Sequence, residues 1–253
     1  MTRVAVSGAG GRMGRLVAGA IAEAPGLELV SAFDPGHAGA TVAGVVISSD
    51  PTVVGEAEVV VEFTTPDVVM ANLAAWRSHG VHAVIGTSGF DADRLVALRK
   101  SWGSGPPNCL VVPNFSIGAV LMMRFAELAA PHFAASEIVE LHHDRKVDAP
   151  SGTALSTAAR IQAAGGRQER NVESTETVAG VRGGDVGPRV HSVRLPGLLA
   201  HHEVLFGSPG ETLTVRHDSS DRISFLPGVL LAIRAVASLP DPVTVGLDAL
   251  LGI

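Results

Sequence analysis

The chain has one cysteine, Cys109, so no disulfide can form within it. That composition fits a reducing compartment. Basic residues are not in surplus: 19 lysines and arginines stand against 25 aspartates and glutamates, a formal net charge of −6. This argues against a general nucleic-acid surface, which is normally basic, while leaving room for a local cationic pocket. No stretch of roughly 18 uninterrupted apolar residues is present, so no membrane span is expected. The opening MTRVAVSGAGGRMG lacks the apolar core of a secretory signal. Neither HExxH nor a cysteine cluster is there to hold a metal. The expectation is a soluble cytoplasmic protein without a metal, a nucleic-acid partner or a membrane partner.

What is present is a large apolar fraction, 46% of 253 residues, enough to bury the core of one large or two modest domains. In the first half, valine- and isoleucine-rich runs end in Gly, Pro, Asp or Asn, as buried parallel strands do. They are RVAVSG (3–8), LELVSAFD (27–34), AEVVVEFT (57–64), VHAVIGT (81–87) and NCLVVPN (108–114). Helical segments lie between them. Met13, Leu16, Val17, Ala20, Ile21 and Ala24 trace one helix face, and 68–77 and 92–100 also read as helices. This alternation predicts an α/β fold with a doubly wound parallel sheet.

After about Phe115 the pattern changes. SEIVELHHD reads as a strand and SGTALSTAARIQAA as a helix. VHSVRLPG, HHEVLFG and ETLTVRHD read as strands of an antiparallel or mixed sheet, and GVLLAIRAVASLP (228–240) as a final helix. The Gly-, Arg- and Glu-rich stretch 167–190 is expected to be partly a mobile loop.

The first strand runs into Gly8, Ala9, Gly10, Gly11, Arg12, Met13 and Gly14. Glycines let a backbone approach a pyrophosphate, and the helix that follows offers free N–H groups and a positive dipole end. Gly8 fits the tight turn, Gly11 the phosphate approach and Gly14 close helix–strand packing. A glycine triplet alone is weak. Here it follows a strand, opens a periodic helix and precedes Asp34, 20 residues past Gly14, where a ribose-binding acid belongs. A carboxylate there accepts from a ribose 2′-OH and repels a 2′-phosphate. Pro35 follows it in place of a cation, and Arg12 is the nearest basic residue. NADH is therefore expected to serve at least as well as NADPH. Three further strand ends are candidate cofactor contacts: FTTP (63–66), Gly86–Thr87–Ser88 in GTSGF, and Val112–Pro113–Asn114–Phe115 in VPNFS. Taken singly, each is also an ordinary turn.

In HHDRKVDAPSGTA (142–154) the adjacent histidines on a strand face opposite ways, so His142 and His143 should do different work. Two histidines on a solvated strand end are the plain alternative. Lys146 adds a permanent cation. Pro150 is placed to start a helix, with Ser151, Gly152 and Thr153 in its first turn, an N–H-rich site suited to a carboxylate. A titratable acid, a cation and a carboxylate cradle suit hydride addition to an anionic conjugated substrate, followed by proton delivery.

Through GAGGRMG, GTSGF, PNFSIG, ELHHDRKVDAPSGTA and DRISFLPGVLLAIR the chain resembles the 4-hydroxy-tetrahydrodipicolinate (dihydrodipicolinate) reductases of lysine/diaminopimelate biosynthesis. The likeness runs over essentially the whole chain, and the histidine–lysine motif is its specific part. It implies an N-terminal Rossmann domain (1–114, completed by 222–253) and an inserted substrate-binding and tetramerisation domain (115–221). It implies a homotetramer acting on a small dicarboxylate with NADH or NADPH. It also implies His142 as the acid that protonates substrate, Lys146 as the catalytic cation, His143 as substrate-binding, and Gly152 and Thr153 as the grip on a substrate carboxylate. The glycine loop, Asp34, Gly86–Ser88 and Val112–Phe115 would contact the nucleotide. Arg222 is a weaker carry-over, toward the second carboxylate or the domain junction. Asp34–Pro35 departs from the acid–arginine pair of NADPH-favouring members. Two rivals remain. An aspartate-semialdehyde-type dehydrogenase needs a cysteine nucleophile, and Cys109 sits in an apolar strand. An NADH-binding regulator would not need the His142–Lys146 cluster.

Overall fold

A computed structural model describes residues 1–169 and 175–253. The chain divides into two compact units, 1–117 with 225–253, and 118–224. The breaks implied by the family resemblance lie at 114/115 and 221/222.

The first unit is a doubly wound α/β sheet. Its strands are β1 (Thr2–Ser7), β2 (Leu27–Phe33), β3 (Thr41–Val42), β4 (Val45–Ser48), β5 (Val59–Glu62), β6 (His82–Ile85), β7 (Cys109–Val111) and, after the second unit, β13 (Val243–Val245). They lie in the order β13-β7-β6-β5-β1-β2-β4-β3. Every pairing is parallel except β3 with β4. Strand order reverses between β1 and β5, and in such sheets the crevice at the carboxyl ends beside that reversal is where ligands bind. Val4, Val6, Val60, Val61, Ala83 and Val84 are wholly buried, which is why these strands read as continuous apolar runs rather than alternating ones.

Helix α1 (Arg12–Glu23) buries Gly14, Val17, Ala18 and Ile21. The inner stripe is thus turned toward its small residues, and Met13, Leu16 and Ala20 are only partly covered. Small residues let the helix approach β1 closely. Helices α2 (Val69–Ser78) and α3 (Ala92–Trp102) follow β5 and β6, and Trp76 and Trp102 are among the largest fully buried side chains. Helix α6 (Leu226–Ala235) lies so close that a Cβ on Gly228 would stand 2.0 Å from the Phe115 carbonyl oxygen. The Asn108 amide binds the carbonyls of Val236 (3.0 Å) and Leu239 (2.9 Å). The terminal segment is therefore part of this unit, ending in α7 (Asp248–Leu251).

The second unit is a five-stranded mixed sheet with helices. Helix α4 (Ile117–Ala129) leads into β8 (Ala135–His142), and α5 (Gly152–Ala163) follows. Then come β9 (Gly184–Asp185), β10 (Arg189–Arg194), β11 (Ala200–Ser208) and β12 (Glu211–Ser219). The order is β12-β11-β8-β10-β9. Only β8 and β10 pair in parallel. Ile138, Val190, Val204 and Phe206 pack with Ala126, Ala154, Ala158 and Ile161 from the helices. Within 167–190, expected to be partly a loop, Gly184–Asp185 pairs with the start of β10. Residues 170–174 of that stretch lie outside the described residues.

Candidate active site

In the first unit, the candidate nucleotide contacts all follow carboxyl ends of parallel strands. Gly8 follows β1, Asp34 β2, Phe63 β5, Gly86 β6 and Val112 β7. Gly8 adopts φ +77°, and a Cβ there would stand 2.4 Å from the Phe63 carbonyl oxygen, so the turn needs glycine. Gly11 N–H donates to the Gly8 carbonyl at 3.1 Å. Gly11 is the N-cap of α1 and supplies no side-chain cap, and the first turn holds no acid. That leaves an N–H-rich, uncapped helix end beside a close-approaching backbone, which fits a dinucleotide pyrophosphate. Arg12 opens the helix, exposed, with Met13 next; Ala9 is fully buried.

Asp34 is tied down more fully than its sequence position indicates. Its Oδ1 accepts from Gly36 N–H (3.0 Å), and its Oδ2 from Gly10 N–H (3.0 Å) and His37 Nδ1 (3.1 Å). The His37 ring fills the space over Gly10 where a Cβ would go. The carboxylate thus holds the glycine loop and His37 together. With about four lone-pair sites on a carboxylate, it retains capacity for a ribose hydroxyl. His37 carried no signal in the sequence reading.

At the neighbouring strand ends, the Phe63 and Phe115 rings pack 5.5 Å apart. Gly86 has no room for a Cβ, which would lie 2.1 Å from the Phe63 ring. The buried Glu62 carboxylate accepts from the Thr64 hydroxyl, Asn72 (3.1 Å) and Trp76 Nε1 (2.8 Å). The Thr87 hydroxyl donates to the Glu62 carbonyl at 3.3 Å. Asn114 Oδ1 accepts from Ser116 N–H at 2.9 Å. Ser88 and Pro113 are exposed, and Val112 and Phe115 are buried. Cys109 is fully buried in β7, and burial pushes its thiol far above the ordinary range. It is a packing residue rather than a nucleophile.

In the second unit the histidine–lysine segment is organised around a residue not singled out in the sequence: Glu140. Glu140 and His142 lie two apart on β8 and so share a face. Glu140 is fully buried, and its Oε2 meets His142 Nδ1 at 2.5 Å. Arg194, from β10, grips both carboxylate oxygens, Nη1 to Oε2 at 2.9 Å and Nη2 to Oε1 at 2.8 Å. Burial would push the carboxyl up. The hydrogen bonds from His142, Arg194 and Ser192 outweigh that and hold it well below the usual carboxylate range. An ionised carboxylate has no proton to give, so the hydrogen of this contact lies on His142 Nδ1, and Nε2 is the ring nitrogen not held by Glu140.

Lys146 is anchored by Asp148, Nζ lying 2.8 Å from each carboxylate oxygen. Its backbone N–H meets the His143 carbonyl at 3.1 Å. The Lys146 hydrogen bond is the main cause holding the Asp148 carboxyl below its ordinary value. Among the described residues, His143 Nδ1 is buried with no hydrogen-bond partner. The helix start differs from the sequence expectation. Ser151 is the N-cap, with Pro150 ahead of it, and α5 begins at Gly152. Ser151 Oγ caps Ala154 N–H (3.2 Å), and Ser151 N–H donates to Glu140 Oε1 (3.2 Å). Ser151 is thus the cap of the turn that carries Gly152 and Thr153. Arg222 opens a short 3-10 turn over Arg222–Phe225.

His202, on β11, stands directly opposite Glu140 of β8 and His217 of β12. It is 5% exposed, and neither ring nitrogen has a partner among the described residues. Burial pushes its pKa down to about 4, against the attraction of Glu140 and with the repulsion of His142 and His217. The unfolded chain then binds more protons than the folded one between about pH 4 and 6.5. Stability is expected to fall as pH drops through that window, by up to about 3 kcal/mol from this group, and to be insensitive to it above. Urea melts of wild type and His202→Gln from pH 4.5 to 7.5 check this. The variant should lose part of the slope, and equal slopes would refute the assignment.

Two family models match the chain: dihydrodipicolinate reductase N-terminus over residues 2–115, and C-terminus over 118–251. The 4-hydroxy-tetrahydrodipicolinate reductase of Cutibacterium acnes is 52% identical over 260 residues, covering 100% of both chains. That of Nocardia farcinica is 52% identical, covering 98% of each. Among solved structures, the dipicolinate-bound dihydrodipicolinate reductase from Paenisporosarcina sp. TG-14 superposes with a TM-score of 0.84 at 37% identity, covering 98% of this chain and 99% of its own. A parallel sheet with a glycine-rich first turn, a histidine–lysine strand end and full-length matches at this identity leave one assignment: the chain belongs to the dihydrodipicolinate reductase family.

Proposed function

We propose that this protein is an enzyme that reduces 4-hydroxy-tetrahydrodipicolinate to tetrahydrodipicolinate with NAD(P)H, in lysine/diaminopimelate biosynthesis. The observation that carries the reading is the His142–Glu140 pair beside Lys146 and the Gly152–Thr153 turn, in a chain half-identical to curated reductases of that name. The nicotinamide cofactor supplies the hydride. The first unit's part would be to hold it: the uncapped end of α1 would take the pyrophosphate, Asp34 would accept from a ribose hydroxyl, and the 63–66, 86–88 and 112–115 turns would hold the nicotinamide half.

The substrate's carboxylates are held by the Gly152 and Thr153 N–H groups at the positive end of α5 and by the Lys146 ammonium, with His143 beside them. The ring loses its 4-hydroxyl as water and gains a hydride at C4. His142 delivers a proton from Nε2 to C3 of the electron-rich ring, while its Nδ1–H stays on Glu140. The balance is one substrate, one NAD(P)H and one proton in; tetrahydrodipicolinate, NAD(P)+ and water out. Lys146 offsets the negative charge of the substrate as the proton moves.

Asp34, with Pro35 in place of a cation, favours NADH at least as much as NADPH. The homotetramer expected from the resemblance is supported by the β-sheet face opposite the helices, where Val139, Leu141 and Val193 are only half-buried and Leu205 is exposed. The test is a coupled assay: pyruvate, aspartate semialdehyde and the synthase that joins them generate substrate in place, and absorbance of NADH or NADPH is followed. Synthase-dependent loss of absorbance, at least as efficient with NADH, supports the reading. No loss with either cofactor refutes it, and better efficiency with NADPH refutes the role given to Asp34. Sedimentation of the same preparation at four chain masses checks the assembly.

A further inference from the structure

Glu140 is fully buried, ionised and saturated. It accepts from four donor atoms of three residues, His142 Nδ1 (2.5 Å), Arg194 Nη1 (2.9 Å), Arg194 Nη2 (2.8 Å) and Ser151 N–H (3.2 Å), with a further hydrogen bond from Ser192. Arg194 is fixed in turn, Nη2 onto the Asp148 carbonyl at 2.6 Å and Nη1 onto the Val193 carbonyl at 2.8 Å. One carboxylate therefore ties the histidine to the N-cap of α5, and the arginine ties both to the segment that carries Lys146.

We infer that the Glu140–Arg194 pair positions the acid of this site, fixing the His142 tautomer and holding that ring in register with the carboxylate-binding turn. This rests on the function proposed above and deepens it. A histidine that must give a proton from one nitrogen needs the other nitrogen's hydrogen on a fixed acceptor; otherwise both tautomers and several ring orientations are populated. Arg194 has two jobs. It neutralises the buried carboxylate, and its fork keeps both oxygens pointed at their other donors. A carboxylate with Arg194 alone would already be paired. The further contacts to His142 and Ser151 give the arrangement a use beyond charge balance, because they join the proton donor to the anion cradle. The titratable groups facing the pair are His142 on its own strand, Arg194 on β10, His202 on β11 with His217 beyond it on β12, and the Lys146–Asp148 pair ahead of α5. Ser192 and Ser151 complete the surroundings. Of these, the Glu140 carboxylate is the only negative charge in direct contact with the imidazole among the described residues.

The test uses the full-length protein in three forms: wild type, Glu140→Gln, and the double variant Glu140→Gln/Arg194→Met. The double variant removes both charges together, so that neither is left buried alone. Glutamine keeps the shape of Glu140 and removes its charge. In the coupled assay kcat is expected to fall by roughly 10-fold to 100-fold in both variants, with KM for NADH unchanged. In Glu140→Gln, where the carboxylate touching the imidazole is lost and the Arg194 charge stays, the alkaline limb of the kcat–pH profile is expected to move to lower pH. A merely structural role would lower the active fraction without moving that limb. Nitrogen-15 NMR of wild type at alkaline pH is expected to show His142 with its hydrogen on Nδ1. A wild-type-like kcat in either variant, or an unmoved alkaline limb in Glu140→Gln, would overturn the proposal. So would a wild-type His142 carrying its hydrogen on Nε2 in neutral form, whether or not the variants fold. Failure of the functional reading looks different: wild type then oxidises neither cofactor, while the NMR result still decides the tautomer.

Discussion

Replacing His142 with alanine is expected to lower kcat by roughly 100-fold or more, the ordinary cost of losing a positioned proton donor. The variant should still fold. Removing His142 leaves the buried Glu140 carboxylate held by both arms of Arg194, by Ser151 N–H and by Ser192. No uncompensated buried charge is created, so the usual source of collapse on breaking a buried pair does not arise. Lys146→Ala should also lower kcat by about 100-fold, by a different route. It frees Asp148, which is largely exposed and resolvates at little cost. It removes the positive charge nearest the proposed substrate carboxylates and leaves a negative one in its place, so KM for substrate should rise as well. The coupled assay separates the two: His142→Ala is chiefly a loss in kcat, Lys146→Ala a loss in both. Wild-type turnover in either variant, at matched thermal stability, would remove that residue from the mechanism.

Much of the fold was legible because parallel strands buried on both faces leave uninterrupted apolar runs. The five runs expected in the first half correspond to β1, β2, β5, β6 and β7. Shorter elements were not legible. The β3–β4 hairpin and β13 are two to four residues long, too short to carry a period. Helix α4 went unread because its apolar residues do not form one stripe: Val120, Met122, Met123 and Ala126 are buried, while Phe125 and Leu128 are exposed. In the candidate site, sequence-local residues were legible: His142, Lys146 and the Ser151–Thr153 turn lie within one short stretch. Glu140 was readable in principle, since it lies two residues before His142 on a strand. Arg194 was not. It reaches Glu140 from a strand 54 residues away, and only the parallel pairing of β10 with β8 brings it there. His37 was hidden for a similar reason. Its contact with Asp34 depends on a 3-10 turn, Pro35–His37, that folds back over Gly10.

A methyl group at Gly14 is expected to disable the first unit's loop. Gly14 is in the first turn of α1, where alanine is by itself the better helix former by about 1 kcal/mol. Packing decides the other way. A Cβ there would stand 2.1 Å from the Gly8 carbonyl oxygen and 2.8 Å from Ala9 Cα. Both neighbours are backbone, so relief requires either the helix to withdraw from β1 or the loop to move. Withdrawal exposes a stripe formed by Val17, Ala18 and Ile21. Movement of the loop breaks the Gly11 N–H to Gly8 contact and displaces Gly10 from Asp34. Either route should destabilise the protein by about 1–3 kcal/mol, the range for overpacking a tight core, and weaken NADH binding at least 10-fold. Gly19, five residues on in the same helix, is the control, because nothing lies within 4 Å of its would-be Cβ. Gly19→Ala should therefore raise stability by about 0.5–1 kcal/mol through helix propensity alone and leave NADH affinity unchanged. Urea unfolding midpoints and NADH fluorescence titrations on the two variants decide the matter. Opposite signs in stability with a loss of binding only in Gly14→Ala place the glycine requirement in the close approach of α1 to β1, whereas parallel behaviour of the two variants would show that Gly14 is an ordinary helix position.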